Sequence, residues 1–527
     1  MKKLICLLLF FALAKAYSQD LNAWIYFTDK PNVTTSLAAP QSILTQRAIQ
    51  RKARHNIAID SRDVPVNQSY VAQIKSATGI TYKTQSKWFN CVHVTGAKTD
   101  IDALLNLSFV SQVDYADPTL RSEQVRADKF AHTTTPPLTY GNASNQITMI
   151  GLNQLHNTGN TGSGVHIAVT DSGFPSVNTN SGFAQLRANN GIADGYDFVA
   201  GDNSFYGDHF HGTRVLSIMA GNVPNSFEGS APDASYYLYR TEDATSETPV
   251  ELSYWVAAAE RADSLGVDVI NVSLGYLTFD NAVENMNYSD MDGQTSFISR
   301  GANTAFEKGM IVVASAGNSG NSSLHPYIAA PADAPGVFSI GAVNGLQSRV
   351  SFSSTGPTAD NRLKPDVAAM GSGTALINEN QSLTNGSGTS YSAPLISGGI
   401  ACLIQAFPNL TPQQILDAVR ASANQHLNPD NLLGHGIPDF GNAFTTLGIQ
   451  AAVQSSYSYY VNEGYLYVTI NEFSGKGVLA LYNLSGQNVY TQELQQNNII
   501  ELSDLSTGMY LVQIDGAVQE TFKIIAP

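Results

Sequence analysis

The sequence predicts an α/β protein built on a mainly parallel sheet with helices on both faces, preceded by a small α+β unit and followed by a small all-β sandwich. Three observations carry this. Between about Asn145 and Leu447, short apolar runs such as Val165–Thr170, Val267–Leu274, Met310–Ala314 and Val337–Val343 read as strands buried on both faces. They alternate with helical stretches, and such alternation implies crossover connections that lay helices on a parallel sheet. Ahead of them a basic helical stretch (Arg47, Arg51, Lys52, Arg54) leads into short β-like runs at Trp88–Val94 and Phe109–Val110. Behind them Tyr465–Ile470, Gly477–Tyr482, Asn498–Leu502 and Met509–Ile514 are separated by Gly, Ser and Asn turns, the pattern of a small antiparallel sandwich.

The 527-residue chain is too long for one core and divides into 1–18, 19–144, 145–447 and 452–527. Residues 1–18 read as an export signal. Lys2 and Lys3 precede the apolar run Leu4–Leu13, and Ala16-Tyr17-Ser18 places small residues where a signal peptidase reads them, so cleavage is expected between Ser18 and Gln19. That run is too short for a stable membrane anchor and no later stretch is long enough, so a secreted protein without a transmembrane anchor is expected. Cys6 leaves with the signal. Cys91 and Cys402 then fall in different units, so no disulfide framework is expected; Cys402, among Ile400, Ala401, Leu403 and Ile404, reads as a core thiol. Thr133–Pro137 has the composition of an exposed linker.

Hydrophobic residues at 43% exclude widespread disorder, and a net charge of −15 argues against nucleic acid or anionic membranes as partners. Residues 19–144 carry +3 and residues 145–445 carry −16. Opposite signs favour docking of the first unit on the second, although chance composition explains them equally well.

Within 145–447, helices are expected at Val250–Leu265, Thr295–Lys308 and Leu395–Phe407. Another opens at Thr411-Pro412-Gln413-Gln414, which combines an N-cap, a first-turn Pro and a capping-box Gln. Four segments carry chemistry. Asp171 ends a strand and precedes Ser172-Gly173; alone, this is a common turn. His211, in His211-Gly212-Thr213, stands beside a helix N-terminus. Its neighbour His209 raises a metal site, but i, i+2 spacing does not face one way on a helix and no partner cluster exists elsewhere, so His209 reads as a bystander. Ser390, in Gly388-Thr389-Ser390-Tyr391-Ser392-Ala393-Pro394, opens an apolar helix; it could be an N-cap, yet the glycine permits close approach of a substrate and Pro394 is tolerable only in a first turn. Asn318, in Ala316-Gly317-Asn318-Ser319-Gly320, comes directly after a strand and offers a neutral donor, or is simply a turn residue. A nucleophile, a base, an orienting carboxylate and an oxyanion donor are what peptide hydrolysis at neutral pH requires.

Taken together these segments resemble the subtilisin-like serine proteases, the subtilases, in order and in motif, over about residues 145–447. The resemblance implies that Ser390 attacks the scissile carbonyl, His211 acts as general base and acid, Asp171 orients it, and Asn318 with the Ser390 N–H holds the oxyanion. It implies a substrate strand laid along Ser273, Leu274 and Gly275, with Ala314, Ser315, Ala316 and Gly317 as the opposite wall of a roomy apolar first pocket. Asp360–Ala368 resembles the segment upstream of the family's serine. Thr170 and Leu216 depart from the pattern, which implies slightly altered packing beside the chemistry. No cofactor is implied for the chemistry; structural calcium is implied by many relatives, but no EF-hand spacing places it and the metal ligands stay unknown. Residues 19–144, through Asp63–Val66 and Ser86–Asn90, resemble a subtilase propeptide that assists folding and blocks the cleft. The C-terminal unit, through Leu481–Gln487, Leu505–Val512 and Phe522–Ile525, resembles the sorting domain of type IX secretion substrates.

A secreted endopeptidase acting on proteins or peptides is therefore expected, with its own propeptide and the type IX machinery as partners. A catalytically silent surface or adhesion protein on the same fold is the alternative. An esterase of the α/β-hydrolase kind would need G-x-S-x-G and the order Ser, Asp, His, and the sequence has neither.

Overall fold

Seven parallel strands form the central sheet in the spatial order Val367–Met370, Val337–Val343, Ile311–Ser315, Val269–Val272, His166–Asp171, Ser235–Arg240 and Ile192–Asp197. The computed structural model describes residues 20–117, 140–454, 457–462, 464–470, 475–516 and 519–526; the export signal and the Thr133–Pro137 linker lie outside them. From His166–Asp171 the chain builds towards one edge, then restarts at Val269–Val272 and builds towards the other. These adjacent strands are the switch point, where an α/β sheet opens a crevice at its carboxyl ends.

The inner strands are dominated by Val, Ile and Ala and buried along their whole length, as helices on both faces demand. Each such aliphatic side chain larger than Ala contributes roughly 1.5–3 kcal/mol on burial. Val337–Val343 and the helix Val250–Leu265 take the bounds read from the sequence, the latter stopping at Gly266 in a left-handed conformation. The helix Pro412–Ala421 is closed by the expected capping box of Thr411 and Gln414. Helix His211–Ala220 packs on Thr389–Ala406, and Val250–Leu265 on Phe297–Glu307.

One expectation needs correcting. The serine helix begins at Thr389, so Pro394 lies in its second turn and not its first. Pro394 has no N–H for the carbonyl four residues earlier, that of Ser390. Ser273 supplies the missing donor: its hydroxyl donates to the Ser390 carbonyl at 2.9 Å.

Residues 20–117 form an antiparallel sheet in the order Ile80–Ser86, Cys91–Gly96, Leu21–Phe27, Val110–Tyr115, with its own core around Ile25, Val71, Ile74, Val92 and Ile101. They belong to the same compact unit as the central sheet, a unit that runs to Phe444. The joint is made with side chains that only a close fit allows. Glu260 on Val250–Leu265 accepts from the Ser86 hydroxyl (2.6 Å) and from the N–H groups of Lys87 and Trp88 (both 2.9 Å). Lys52 reaches Asp263 at 2.8 Å, where Arg51 also binds, and Lys308 reaches Asp63 at 2.8 Å; all five side chains are almost fully buried. Burial opposes ionisation of Asp263, but Arg51 and Lys52 more than offset it and hold the carboxyl below the usual range. Trp24 stacks on Phe297, 4.7 Å between ring centres.

A second unit runs from Thr445. It pairs a three-stranded antiparallel sheet (Tyr457–Asn462, Tyr465–Ile470, Asn497–Glu501) with a four-stranded one (Asn488–Glu493, Gly477–Asn483, Gly508–Gly516, Gln519–Ala526). Leu466, Val468, Leu481, Val512 and Ile524 belong to one shared core, which makes the unit a sandwich. Cys91 and Cys402 are both buried free thiols, and burial pushes each well above the ordinary thiol range, so neither is a ready nucleophile.

Candidate active site

Asp171 is the last residue of its strand and is completely buried. Its carboxylate accepts from the Ser172 N–H (2.8 Å) and from Nδ1 of His211, at 2.8 Å to one oxygen and 3.0 Å to the other. A carboxylate can only accept, so Nδ1 carries the proton and the lone pair of the neutral ring is on Nε2. Gly212 makes this approach possible: a Cβ there would stand 2.4 Å from the Gly173 carbonyl and 2.9 Å from the Asp171 Cβ. Thr213 fixes the helix start by donating to the Pro175 carbonyl at 2.8 Å. His209 meets the Ser172 hydroxyl at 3.3 Å.

Ser390 is the second residue of the apolar helix Thr389–Ala406, close to the positive end of its dipole. Its hydroxyl donates to the Ser273 carbonyl at 3.0 Å, the reverse of the bond Ser273 makes to it. The ring of His211 is 5.9 Å from that of Tyr391, the next residue along.

Asn318 is oriented from outside. The Thr389 N–H and hydroxyl both donate to its Oδ1, at 2.9 and 3.0 Å. A backbone N–H must face oxygen, so the amide cannot be flipped and its NH2 points away from Thr389. Asn318 and Ser390 line one cavity of about 460 Å³, together with Ser273, Leu274, Gly275, Ser315 and Gly317. Ala314 and Ala316 are fully buried in the core instead. Among the lining residues, Glu247 and Asp280 carried no motif in the sequence, and Thr389, which stands in the serine motif, gave no sign there that it would hold Asn318.

Thr170, a departure from the family pattern, is accommodated by hydrogen bonding: its hydroxyl accepts from the Trp255 indole at 3.1 Å and donates to the Asn271 carbonyl at 3.3 Å. Leu216 is wholly buried in its helix. For a cation, the described residues offer one grouping of three acidic side chains, Glu242, Glu247 and Glu251, with ligand atoms within 4.8 Å of one another. Glu242 already accepts from the Tyr276 hydroxyl, and the two oxygens of Glu251 accept from Asp243 and Thr248 N–H groups at 2.9 and 3.1 Å. Two of the three are thus committed to protein donors, which does not fit a calcium shell of six to eight oxygens.

Comparison with known proteins bears on each unit. A model of the Bacteroidota peptidase S8 propeptide domain matches residues 22–131, and one of a secretion-system C-terminal sorting domain matches 462–526, which makes this a secreted or cell-surface protein. Subtilisin E of Bacillus subtilis is 29% identical over 372 residues, 70% of this chain and 82% of that protein. A thermostable alkaline protease of Halalkalibacterium halodurans is 27% identical, over 62% of this chain and 78% of its own. Among solved structures, MycP1 of Mycobacterium smegmatis overlaps 61% of this chain and 89% of its own, with 23% identity and a TM-score of 0.47. A model of the peptidase S8 domain matches residues 162–436, more than half of the sequence, and the central sheet, its helices and the paired side chains around Asp171 and Ser390 all fall on it: the chain belongs to the subtilase family of serine-type endopeptidases.

Proposed function

We propose that Ser390 is the acylated nucleophile of this peptidase, with His211 as its base and acid, Asp171 as the orienting carboxylate and Asn318 as an oxyanion donor. The observation that carries the reading is the pinning of Asn318 by Thr389, which fixes the orientation of a neutral amide in the same cavity that Ser390 lines. Nε2 of His211 takes the Ser390 hydroxyl proton as Oγ bonds to the scissile carbonyl carbon. The same proton passes to the leaving amine as the C–N bond breaks, and water then repeats the sequence on the ester. Asp171 stays ionised and stabilises the imidazolium. The Asn318 NH2 and the Ser390 N–H meet charge that exists on the carbonyl oxygen only in the transition state. Ser273, Leu274 and Gly275 present the edge along which a substrate strand lies, with Ser315 and Gly317 opposite.

Residues 19–144 serve as inhibitor and folding assistant of 145–447, and 452–527 as the unit read by the secretion machinery. The extensive buried joint that residues 20–117 make with Val250–Leu265 supports the first role. No calcium is assigned. A fluorophosphonate probe tests the whole reading: it should label the mature wild-type protein and not Ser390→Ala. Absence of label in mature wild type would favour a catalytically silent surface protein.

A further inference from the structure

Arg214 is not among the four residues proposed for the chemistry, yet its side chain joins the segments that carry two of them. It lies one turn into the helix His211–Ala220, where its N–H donates to the Phe210 carbonyl at 3.3 Å. Its guanidinium also covers the Phe210 ring, 3.9 Å from the ring centre, so the residue just before His211 is gripped by backbone and side chain together. The same guanidinium hydrogen-bonds the side chain of Tyr391, the residue just after Ser390. Tyr391 needs that bond. Its side chain is buried and packed so closely on the strand Leu383–Ser387 that a Cβ at Gly386 would stand 2.4 Å from its ring, and a buried hydroxyl without a partner is costly. Burial pushes its pKa up to about 12, so the phenol is neutral and accepts from the cation without discharging it.

The charge is met by Glu379, whose two oxygens take Nε and Nη2 of Arg214 at 3.1 and 3.2 Å. Burial opposes ionisation of Glu379, but Arg214 more than offsets it and holds the carboxyl below its usual range. Glu379 is itself placed. It sits in the turn between the strands Ser372–Ile377 and Leu383–Ser387. That hairpin is pinned to the helix of His211, because the Ser217 hydroxyl accepts from the Ile377 N–H at 2.9 Å, and Asn180 donates to the Asn378 carbonyl at 2.8 Å. A guanidinium is a rigid planar fork, so a carboxylate that fixes its plane also locates the ring beneath it and the hydroxyl it donates to. Arg214 thus reaches from the base's segment to the nucleophile's, one residue removed from each. We propose that Arg214 is a positioning residue for the peptidase reaction: held by Glu379, it sets the placement of His211 against Ser390 through Phe210 and Tyr391. Misplacement of reacting groups by about 1 Å can cost about 10²-fold in rate. The inference rests on Ser390 being the nucleophile and His211 its base.

Phosphonylation of Ser390 by a fluorophosphonate in the self-matured full-length enzyme supplies the test, read as a limiting rate and a half-saturating concentration. The final extent of labelling counts the folded molecules. Arg214→Met keeps the stem against Phe210 but removes the fork, so the limiting rate should fall about tenfold while the half-saturating concentration moves by less than about twofold. Arg214→Lys returns the charge without the fork and should recover only part of the loss. Tyr391→Phe removes one acceptor and should cost about threefold. In the Arg214→Met background it should cost nothing more, because the hydroxyl acts through the guanidinium. A limiting rate unmoved in Arg214→Met, or equal to wild type in Arg214→Lys, overturns the proposal and leaves the peptidase reading intact. A Tyr391→Phe loss of the same size in both backgrounds does so too. Should Arg214→Met fail to mature, Arg214→Lys and Tyr391→Phe decide between the same outcomes: loss in both supports the proposal, and wild-type rates in both overturn it. No labelling of the wild type overturns the peptidase reading and this inference together.

Discussion

Ser273 and Ser390 are joined twice, hydroxyl to carbonyl in each direction, at 2.9 and 3.0 Å. One of these bonds exists because a proline in the second turn of the serine helix cannot donate to the Ser390 carbonyl. The other holds the Ser390 hydroxyl against the segment just past the switch-point strand Val269–Val272. Ser390, the nucleophile proposed above, is thus tied to Ser273 through both its carbonyl and its hydroxyl. Ser273→Ala should leave the buried Ser390 carbonyl without a donor and cost about 1–2 kcal/mol. Pro394→Ala returns an N–H to the ladder, so the double variant should recover the part of that loss due to the Ser390 carbonyl, though not the acceptor that Ser273 gives the buried Asn271 amide at 3.0 Å. Urea midpoints of the four proteins form the cycle, and simple additivity would contradict the compensation.

Asn318→Ala should fold and bind substrate normally yet turn over about 10²–10³ times more slowly, the loss a subtilisin shows when its oxyanion-hole asparagine is removed. Steady-state kinetics with KM unchanged and kcat lowered would meet the expectation; unchanged kcat would remove Asn318 from the mechanism.

Thr389→Val keeps the size of the side chain but takes one of two donors from Asn318 Oδ1. The amide should lose part of its fixed aim, and kcat should fall less than for Asn318→Ala. A drop of about tenfold, with KM held, is the expected reading; equal losses in KM and kcat would point to a disturbed cavity instead.

Glu260→Ala should weaken the joint between residues 20–117 and the central sheet by about 3 kcal/mol, since the Ser86 hydroxyl and two N–H groups lose their acceptor together. Denaturation of the full chain, carrying Ser390→Ala to prevent self-cleavage, reads the difference.

The same joint should loosen in acid. Fully buried, His93 bonds through Nε2 to the Asn22 amide oxygen (3.0 Å) and through Nδ1 to the Ser253 hydroxyl (2.8 Å), which itself accepts from Trp24. Nε2 must donate, so Nδ1 must stay bare. Burial, with a smaller push from Lys83, lowers its pKa from 6.5 to about 3. A depressed histidine contributes its stability above its unfolded pKa and loses it as pH falls, here from 6.5 towards 3. Melting curves of the Ser390→Ala chain across that window should show the decline, and His93→Gln should flatten it.

Much of this molecule was legible in its sequence, and the failures have physical causes. Val337–Val343 and Val250–Leu265 could be bounded to the residue because a mostly aliphatic run and a terminal glycine leave little choice. Strand Ile192–Asp197 escaped because it is the sheet's edge, with Asp and Gly where an inner strand has Val. Strand Ser235–Arg240 escaped because it fills its faces with tyrosines rather than aliphatics. Pro394 was misplaced because nothing local reveals that a serine more than a hundred residues away stands in for the missing helical donor. Asp171, His211, Asn318 and Ser390 are legible from short segments read together, of which only that of Ser390 is distinctive alone. Glu247 and Asp280 are not, since their meeting depends on two loops brought together only by the fold.

The ion pairs under residues 20–117 determine the kind of surface that loss of this layer would expose. Arg51 and Lys52 depart with it, and so do Asp60 and Asp63, the partners of Lys308. The groups uncovered on the peptidase at those points are Asp263 and Lys308, a carboxylate and an ammonium, which water solvates readily. Where the seam is closed by charge and not by rings such as Trp24 on Phe297, it can be opened without leaving a sticky scar, and to close it again a liberated layer would have to strip that new hydration away.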